Sequence, residues 1–312
     1  MSSEEWREIW LQKMRQVLSA KKFKASTMEG FIDIVDRYLV SYTCHPGMIP
    51  QEKAFEFLAK NKKSEMQERF SRGSVIFSFI IAVFCNAQSG SKAETVSDID
   101  GNIYKTIIIG NQIWTGENYK ATRYRDGTPI PLVTESKKWS LLKTPAYCWY
   151  KNDTINKEKY GALYNWYAVN KGQLAPAGWH VPLKSDWDAL VNFLVRNGYN
   201  WDGTTNQNKV GKALAATTEW WKSRNKGAVG NDLSKNNSTG FSALPSGFRV
   251  IFGHFDDNGN IGGYWWTDTR DNDSLIHSCA LTNDKSFFDR QPIKKNPENM
   301  SYGLSVRILK DR

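Results

Sequence analysis

The sequence predicts an α+β fold of short strands, two helices and long loops, preceded by a small all-α segment. Three observations lead there. Residues 1–65 place apolar side chains three and four apart, the period of amphipathic helices. From Ser97 onward the pattern changes to short β-branched and aromatic runs separated by Gly and Asn turns. Aromatic residues make up 13% of the 312, including 13 Trp, which favours rigid packing in a strand-rich core over a helical bundle.

In the N-terminal segment, Trp6, Ile9, Trp10, Met14, Val17 and Leu18 form one apolar face. Ser26 or Thr27 is positioned to cap a second helix carrying Phe31, Ile34, Val35, Tyr38 and Leu39. Cys44-His45-Pro46-Gly47 breaks it, and Pro50 opens a third helix through Ala54, Phe55 and Leu58. Such a core is marginal alone at this size.

Residues 66–96 form a seam. A basic stretch after Met66 leads into the apolar run Ser74–Cys85, then Asn86-Ala87-Gln88 and the small polar stretch Ser89-Gly90-Ser91. That order describes a secretory signal peptide cut after Ala87, and the run is too short to span a bilayer comfortably. Its expected membrane involvement is confined to a signal or anchor at 74–87. Its unusual feature is the 65 residues ahead of it. Either Met66 is the physiological start, or the apolar run completes the N-terminal bundle as a fourth helix.

Lys and Arg exceed Asp and Glu by 42 to 32, a net charge of +10, and mean hydropathy is −0.56. The basic residues are scattered, so charge supplies no nucleic-acid face. Four Cys in 312 residues exclude a disulfide-dense fold.

Downstream, Asp100-Gly101 signals a hairpin, followed by a strand at Tyr104–Ile109, a Gly110-Asn111 turn and a return through Gln112–Trp114. Residues 160–169 have helix-compatible spacing. The clearest helix follows Pro182, with Ser185 as N-cap, Asp188 at the third position and Gly198 at its end. Trp187, Leu190, Val191, Leu194 and Val195 make its core face. A second helix is expected over 207–217. Strands are expected at Gly240–Leu244, Phe248–Phe252, Gly263–Thr267, His277–Leu281 and Gly303–Ile308.

Seven segments run in order: DIDGNIYKTIIIGNQIWTGEN (98–118), YCWYKND (147–153), YGALYNWYAV (160–169), PAGWHVPLKSDWDAL (176–190), TGFSALPSGFR (239–249), GGYWWTDT (262–269) and YGLSVRILKD (302–311). Residues 97–312 resemble, on these segments, the Fibrobacter succinogenes major paralogous (FISUMP) domain. The resemblance implies a C-type-lectin-like fold and a secreted or lipid-anchored bacterial envelope protein. The family usually carries a Cys before the Pro-Ala-Gly-Trp motif and another near the last strand; Ala175 and Ile308 stand there. Residues 1–85 show a weaker resemblance, through the spacing of Phe23, Thr27 and Phe31, to the SAM-like N-terminal region of tyrosine recombinases.

No catalytic residue, metal site or cofactor is assigned. There is no phosphate-cradling glycine motif and no nucleophile elbow. His45, His180, His254 and His277 lack metal-ligand spacing. The stretch His254–Asn260 fails as a calcium loop and reads as a hairpin turn at Asn258-Gly259. Cys148 and Cys279 read as buried thiols, with a disulfide between them left open.

A binding surface is expected at the late loops, from Tyr264, Trp266, Asp268, Arg270, Asp271, Asn272, Phe287, Phe288 and Arg290. The competing reading puts Trp265 and Trp266 on alternate sides of a strand, one in the core and one in a subsidiary cluster. The same question attaches to Trp220-Trp221. The functional expectation is a non-enzymatic exported surface or periplasmic protein that binds a glycan, peptide or envelope protein. Two alternatives compete with it: a relative of formylglycine-generating enzymes, and a cytoplasmic fusion whose head, residues 1–85, binds DNA.

Overall fold

The computed structural model describes residues 94–256, 261–268 and 274–311, together with Gln12 and Arg15. Apart from those two, all of them belong to one compact unit, Ala93–Arg312. The helices expected within 1–65, the apolar segment 74–87 and the turn at Asn258-Gly259 lie outside the described residues.

The first described strands form a meander. Strand β1 (Thr95–Ser97) pairs antiparallel with β2 (Ile103–Ile109), and β2 pairs with β3 (Gln112–Thr115). Gly101 sits at φ +82° in the first turn, where the amide of Gly101 donates to the carbonyl of Asp98 at 3.1 Å. Strand β10 (Leu309–Lys310) lies between β3 and β6 (Trp179–His180). The five strands run β1-β2-β3-β10-β6, so the end of the chain closes the sheet opened by its first hairpin. A two-stranded ribbon joins β4 (Tyr147–Trp149) and β5 (Ala162–Tyr164). A third sheet, β7 (Gly262–Trp266), β8 (Leu275–Thr282) and β9 (Asp289–Lys294), is an antiparallel meander. The architecture is α+β, and the pairings between these ten strands are antiparallel.

Strand residues alternate between apolar clusters, as the two-residue pleat requires. One cluster holds Tyr104, Trp266, Ile276, Val306 and Ile308. A second holds Ile109, Trp114, Trp265, Cys279, Leu281 and Leu309. The ribbon repeats the device: Tyr147, Trp149 and Tyr164 enter the first cluster, while Cys148 and Leu163 enter a third around Trp139 and Tyr150. Ala175 and Ile308, which stand where cysteines were expected, are both buried in the first cluster.

Helix α1 (Ser136–Ser140) contributes Trp139 to the third cluster. Helix α2 (Asn156–Tyr160) and helix α3 (Trp166–Asn170) flank β5. Helix α4 (Lys184–Arg196) packs Trp187, Leu190, Val191 and Leu194 into the second cluster. Its N-cap is Leu183, and the Asp186 carboxylate accepts the Leu183 amide at 2.8 Å. The helix therefore starts two residues before the expected Ser185 cap. The extended Leu183 backbone after Pro182 opens the helix, and the side chain three residues on closes the box.

Other boundaries differ as well. The helix expected at 207–217 contracts to α5 (Gly211–Leu214). Residues 160–169 divide into the end of α2, then β5 and α3, because Gly161 interrupts them at φ +72°. Segments 240–244, 248–252 and 303–308 make only isolated bridges, including Ala215 with Ala243 and Tyr164 with Leu304. Their backbone groups pair with several different segments in turn, so no continuous ladder forms. No helix among the described residues is long and apolar enough to cross a membrane.

Candidate functional site

Of the described late-loop residues, Trp266 and Phe288 are buried in the core. Trp266 is wholly buried, and its indole N–H donates to the carbonyl of Tyr164 at 2.7 Å. Phe288 is also buried, in the opposite cluster, stacked on Trp187 with centroids 5.1 Å apart. Both are core residues, which corrects their assignment as ligand contacts: each ring is enclosed by an apolar cluster. Trp265 is buried too, so the competing reading of two clusters describes the Trp265-Trp266 pair.

Tyr264 is half-buried against Phe248, with centroids 4.7 Å apart. The amide of Asp268 donates to the carbonyl of Pro182 at 3.0 Å. Phe287 is half-buried beneath the Lys285 ammonium, 5.2 Å from its ring centroid. Arg290 is exposed and forms an ion pair with Asp188 of α4. Arg270, Asp271 and Asn272 lie outside the described residues. In the other Trp pair, Trp220 is buried and donates to the carbonyl of Ala243 at 3.1 Å, whereas Trp221 is 52% exposed.

Burial disfavours the thiolate at both described cysteines. Cys148 and Cys279 are free, buried and in different clusters. Burial pushes the Cys148 thiol up to about 12, against the opposing pull of the Arg249 guanidinium. Burial also raises Cys279 well above the ordinary thiol range. A thiolate nucleophile needs the reverse. Among the described residues no three His, Cys, Asp or Glu side chains group to hold a metal ion.

The structure instead brings four distant segments around a cleft of about 410 Å³. They are the end of β3 with Asn118, helix α2, the segment after α5, and the loop 237–244, and Arg307 also lines the cleft. Asn118 is the junction. Its Oδ1 accepts from the Trp265 indole N–H and from Arg307 Nε, each at 2.9 Å. Its amide donates to the carbonyl of Tyr160 at 2.9 Å and to Ser305 Oγ at 3.3 Å. Helix α2 can approach this closely because residue 161 is glycine. A Cβ there would lie 2.8 Å from the Asn118 Cβ and from the Tyr119 carbonyl oxygen.

The loop 237–244 is held under strain. Asn237 and Ser242 both adopt left-handed backbone, φ +66° and +53°. The loop is tied to α5 by the Asn237 amide, which donates to Lys212 O at 2.8 Å, and the Ala243 amide, which donates to Leu214 O at 2.9 Å. Non-glycine residues in this region persist only where their surroundings fix them, and they concentrate at functional sites.

Ion pairs border the cleft. Lys120, almost fully buried, reaches Glu158 at 2.6 Å and Glu117 at 3.7 Å. Hydrogen bonding to Lys120 lowers the Glu158 carboxyl below its usual range. Lys159 pairs with Glu219 at 2.6 Å, and that hydrogen bond raises the Lys159 ammonium. At Arg307, burial lowers the guanidinium to about 9. The lining contains hydroxyls, amides and charged groups, which can offer hydrogen bonds to a ligand.

Sequence reasoning passed over this cleft. The available signal was Arg307 itself, a lone charge between Val306 and Ile308 in an otherwise apolar stretch. The family model described as Fibrobacter succinogenes major domain matches residues 107–310. No curated protein and no solved structure matches the chain.

Proposed function

The chain belongs to the Fibrobacter succinogenes major domain family, and from that premise we propose that it is a non-enzymatic binding protein of the bacterial envelope. Its C-type-lectin-like domain recognises a glycan, a peptide or an envelope protein, and the recognition site is the polar cleft around Asn118. The observation that carries this reading is the strained loop 237–244 held over a cleft lined by hydrogen-bonding side chains. The signal-peptide-like segment 74–87 agrees with export. Buried thiols of raised pKa count against chemistry of the formylglycine-generating type.

The test is a glycan and peptide array probed with the full chain and with Thr217→Trp. Thr217 is an exposed residue of the cleft lining, so an indole there fills the mouth. Ligands retained by the full chain and lost by the variant, with unchanged thermal stability, support the cleft. Ligands bound equally by both overturn it. Export has its own test, the N-terminus of the protein recovered from fractionated cells. A start at Gln88 in the envelope supports it; a start at Met1 in the cytoplasm overturns it and makes duplex binding by residues 1–85 the question.

A further inference from the structure

Trp221 is the tryptophan that the fold leaves out. Among the described residues the other indoles are buried or half-buried, whereas Trp221 is 52% exposed. It opens the segment Trp221-Lys222-Ser223-Arg224-Asn225-Lys226, in which three cations stand on alternate residues, all of them exposed. Among the described residues Lys222, Arg224 and Lys226 form no ion pair; Lys226 lies 5.7 Å from the centroid of the Trp201 ring. The acids of the neighbouring segments are taken. Glu219 pairs with Lys159 at 2.6 Å, Asp202 with Lys209 at 2.6 Å, Asp232 with Lys235 at 3.1 Å and Asp289 with Lys285 at 3.6 Å. Asp284 remains, one exposed carboxylate against three cations.

The backbone beneath these side chains is fixed. The Ser223 amide donates to the carbonyl of Gly230 at 3.0 Å, and Ser223 Oγ accepts the Asn225 amide at 3.2 Å. The Asn225 side chain donates to the carbonyl of Asp284 at 3.0 Å, and the Gly230 amide to that of Asn283 at 2.7 Å. Gly227 lets the Trp201 ring lie against the loop, since a Cβ there would overlap the indole. Serine, asparagine and main chain are thus committed to holding the loop, while the Trp221 ring and the cationic heads are committed to nothing. A ligand meeting them pays little for ordering the backbone. Six residues span at most about 20 Å, so the ring and the cations can act on one ligand.

We propose that this loop is a second binding site, for an acidic polysaccharide. The Trp221 indole packs on the face of a sugar ring, and Lys222, Arg224 and Lys226 meet carboxylates along the same chain. An anionic membrane fits less well, because one ring is the loop's exposed apolar surface and Asp284 would press against the headgroups. A single-stranded nucleic acid stacks successive bases on several rings, and the loop exposes one. An acidic peptide would use the cations and leave the ring idle. No residue of the loop lines the cleft around Asn118, so the proposal stands apart from the reading of that cleft.

The experiment titrates the full chain with polygalacturonate, poly-L-glutamate, oligothymidylate and phosphatidylglycerol vesicles, followed by calorimetry and indole fluorescence. Polygalacturonate is expected to bind the full chain. The triple variant Lys222→Gln/Arg224→Gln/Lys226→Gln is expected to weaken that binding about tenfold, and Trp221→Ala about three- to tenfold. Because the chain carries a net charge of +10, the control is Lys105→Gln/Lys137→Gln/Lys143→Gln, three exposed lysines elsewhere, expected to leave affinity nearly unchanged. Equal losses in the two triple variants overturn the loop as the site. Unchanged affinity in Trp221→Ala overturns the sugar contact. Poly-L-glutamate, oligothymidylate or vesicles bound as tightly as polygalacturonate overturn the polysaccharide as the ligand. Absence of polygalacturonate binding to the full chain overturns the proposal outright.

Discussion

Asn237 and Ser242 hold each other in left-handed backbone by exchanging two hydrogen bonds, each 2.8 Å long: the Asn237 amide nitrogen donates to Ser242 Oγ, and the Ser242 main-chain N–H donates to Asn237 Oδ1. Asparagine tolerates this region better than other non-glycine residues. Asn237→Ala removes both bonds and adds backbone strain, so it is expected to cost ~2 kcal/mol. Asn237→Gly keeps the backbone free and loses only the bonds, at ~1 kcal/mol. Thermal melts order the two variants, and a Gly variant less stable than the Ala variant contradicts the strain.

Two buried tryptophans of the second cluster separate ring volume from hydrogen bonding. Trp265 donates to Asn118, whereas the Trp187 indole N–H has no partner among the described residues. Trp265→Phe is therefore expected to cost ~1 kcal/mol more than Trp187→Phe. Denaturant titrations compare them, and equal losses contradict a stabilising bond to Asn118.

His180 joins the start of α4 to the end of the chain. Its Nε2 lies 3.2 Å from Asp186 and its Nδ1 2.6 Å from Asp311. Hydrogen bonding to Asp186 raises the imidazole above its ordinary value of 6.5; burial opposes the shift and Asp311 adds to it. A raised folded value means a contribution fully present below about pH 6.5 and lost as pH rises through the folded value. The melting temperature of the native chain is expected to fall relative to His180→Gln between pH 6 and 8. Parallel pH curves for the two proteins refute the linkage.

Iodoacetamide is expected to modify Cys148 and Cys279 only after unfolding, because both thiols are buried and protonated at neutral pH. Peptide mapping of the labelled full chain distinguishes them from Cys44 and Cys85. Rapid labelling of either buried thiol in the native protein would restore the enzyme reading.

Part of this structure was legible from residue pattern. The first hairpin, the core face of α4 and the opposed placement of Trp265 and Trp266 follow from local period and turn chemistry, which act over a few residues. The α4 cap was missed by two positions, since Leu183 has no capping side chain and Asp186 supplies one from inside the first turn. The segments around Leu244, Val250 and Ser305 have strand composition but lack a single continuous partner. Asn118, Asn237, Ser242 and Arg307 are brought together by long-range closure, and no local pattern encodes that meeting. The late aromatics misled for the opposite reason: Trp266 and Phe288 have the composition of a binding face and the burial of a core.

The division of each strand between two clusters also proofreads the chain's alignment. Sliding β7 by one residue would exchange Trp265 and Trp266, two side chains of identical volume, so packing alone would barely register the error. Their N–H partners would register it. Trp265 is keyed to Asn118 and Trp266 to the Tyr164 carbonyl, so a slipped strand leaves two indoles without acceptors and strips Asn118 of the bond it shares with Arg307's anchor. The polar junction beside the cleft is thus also the checksum of the fold.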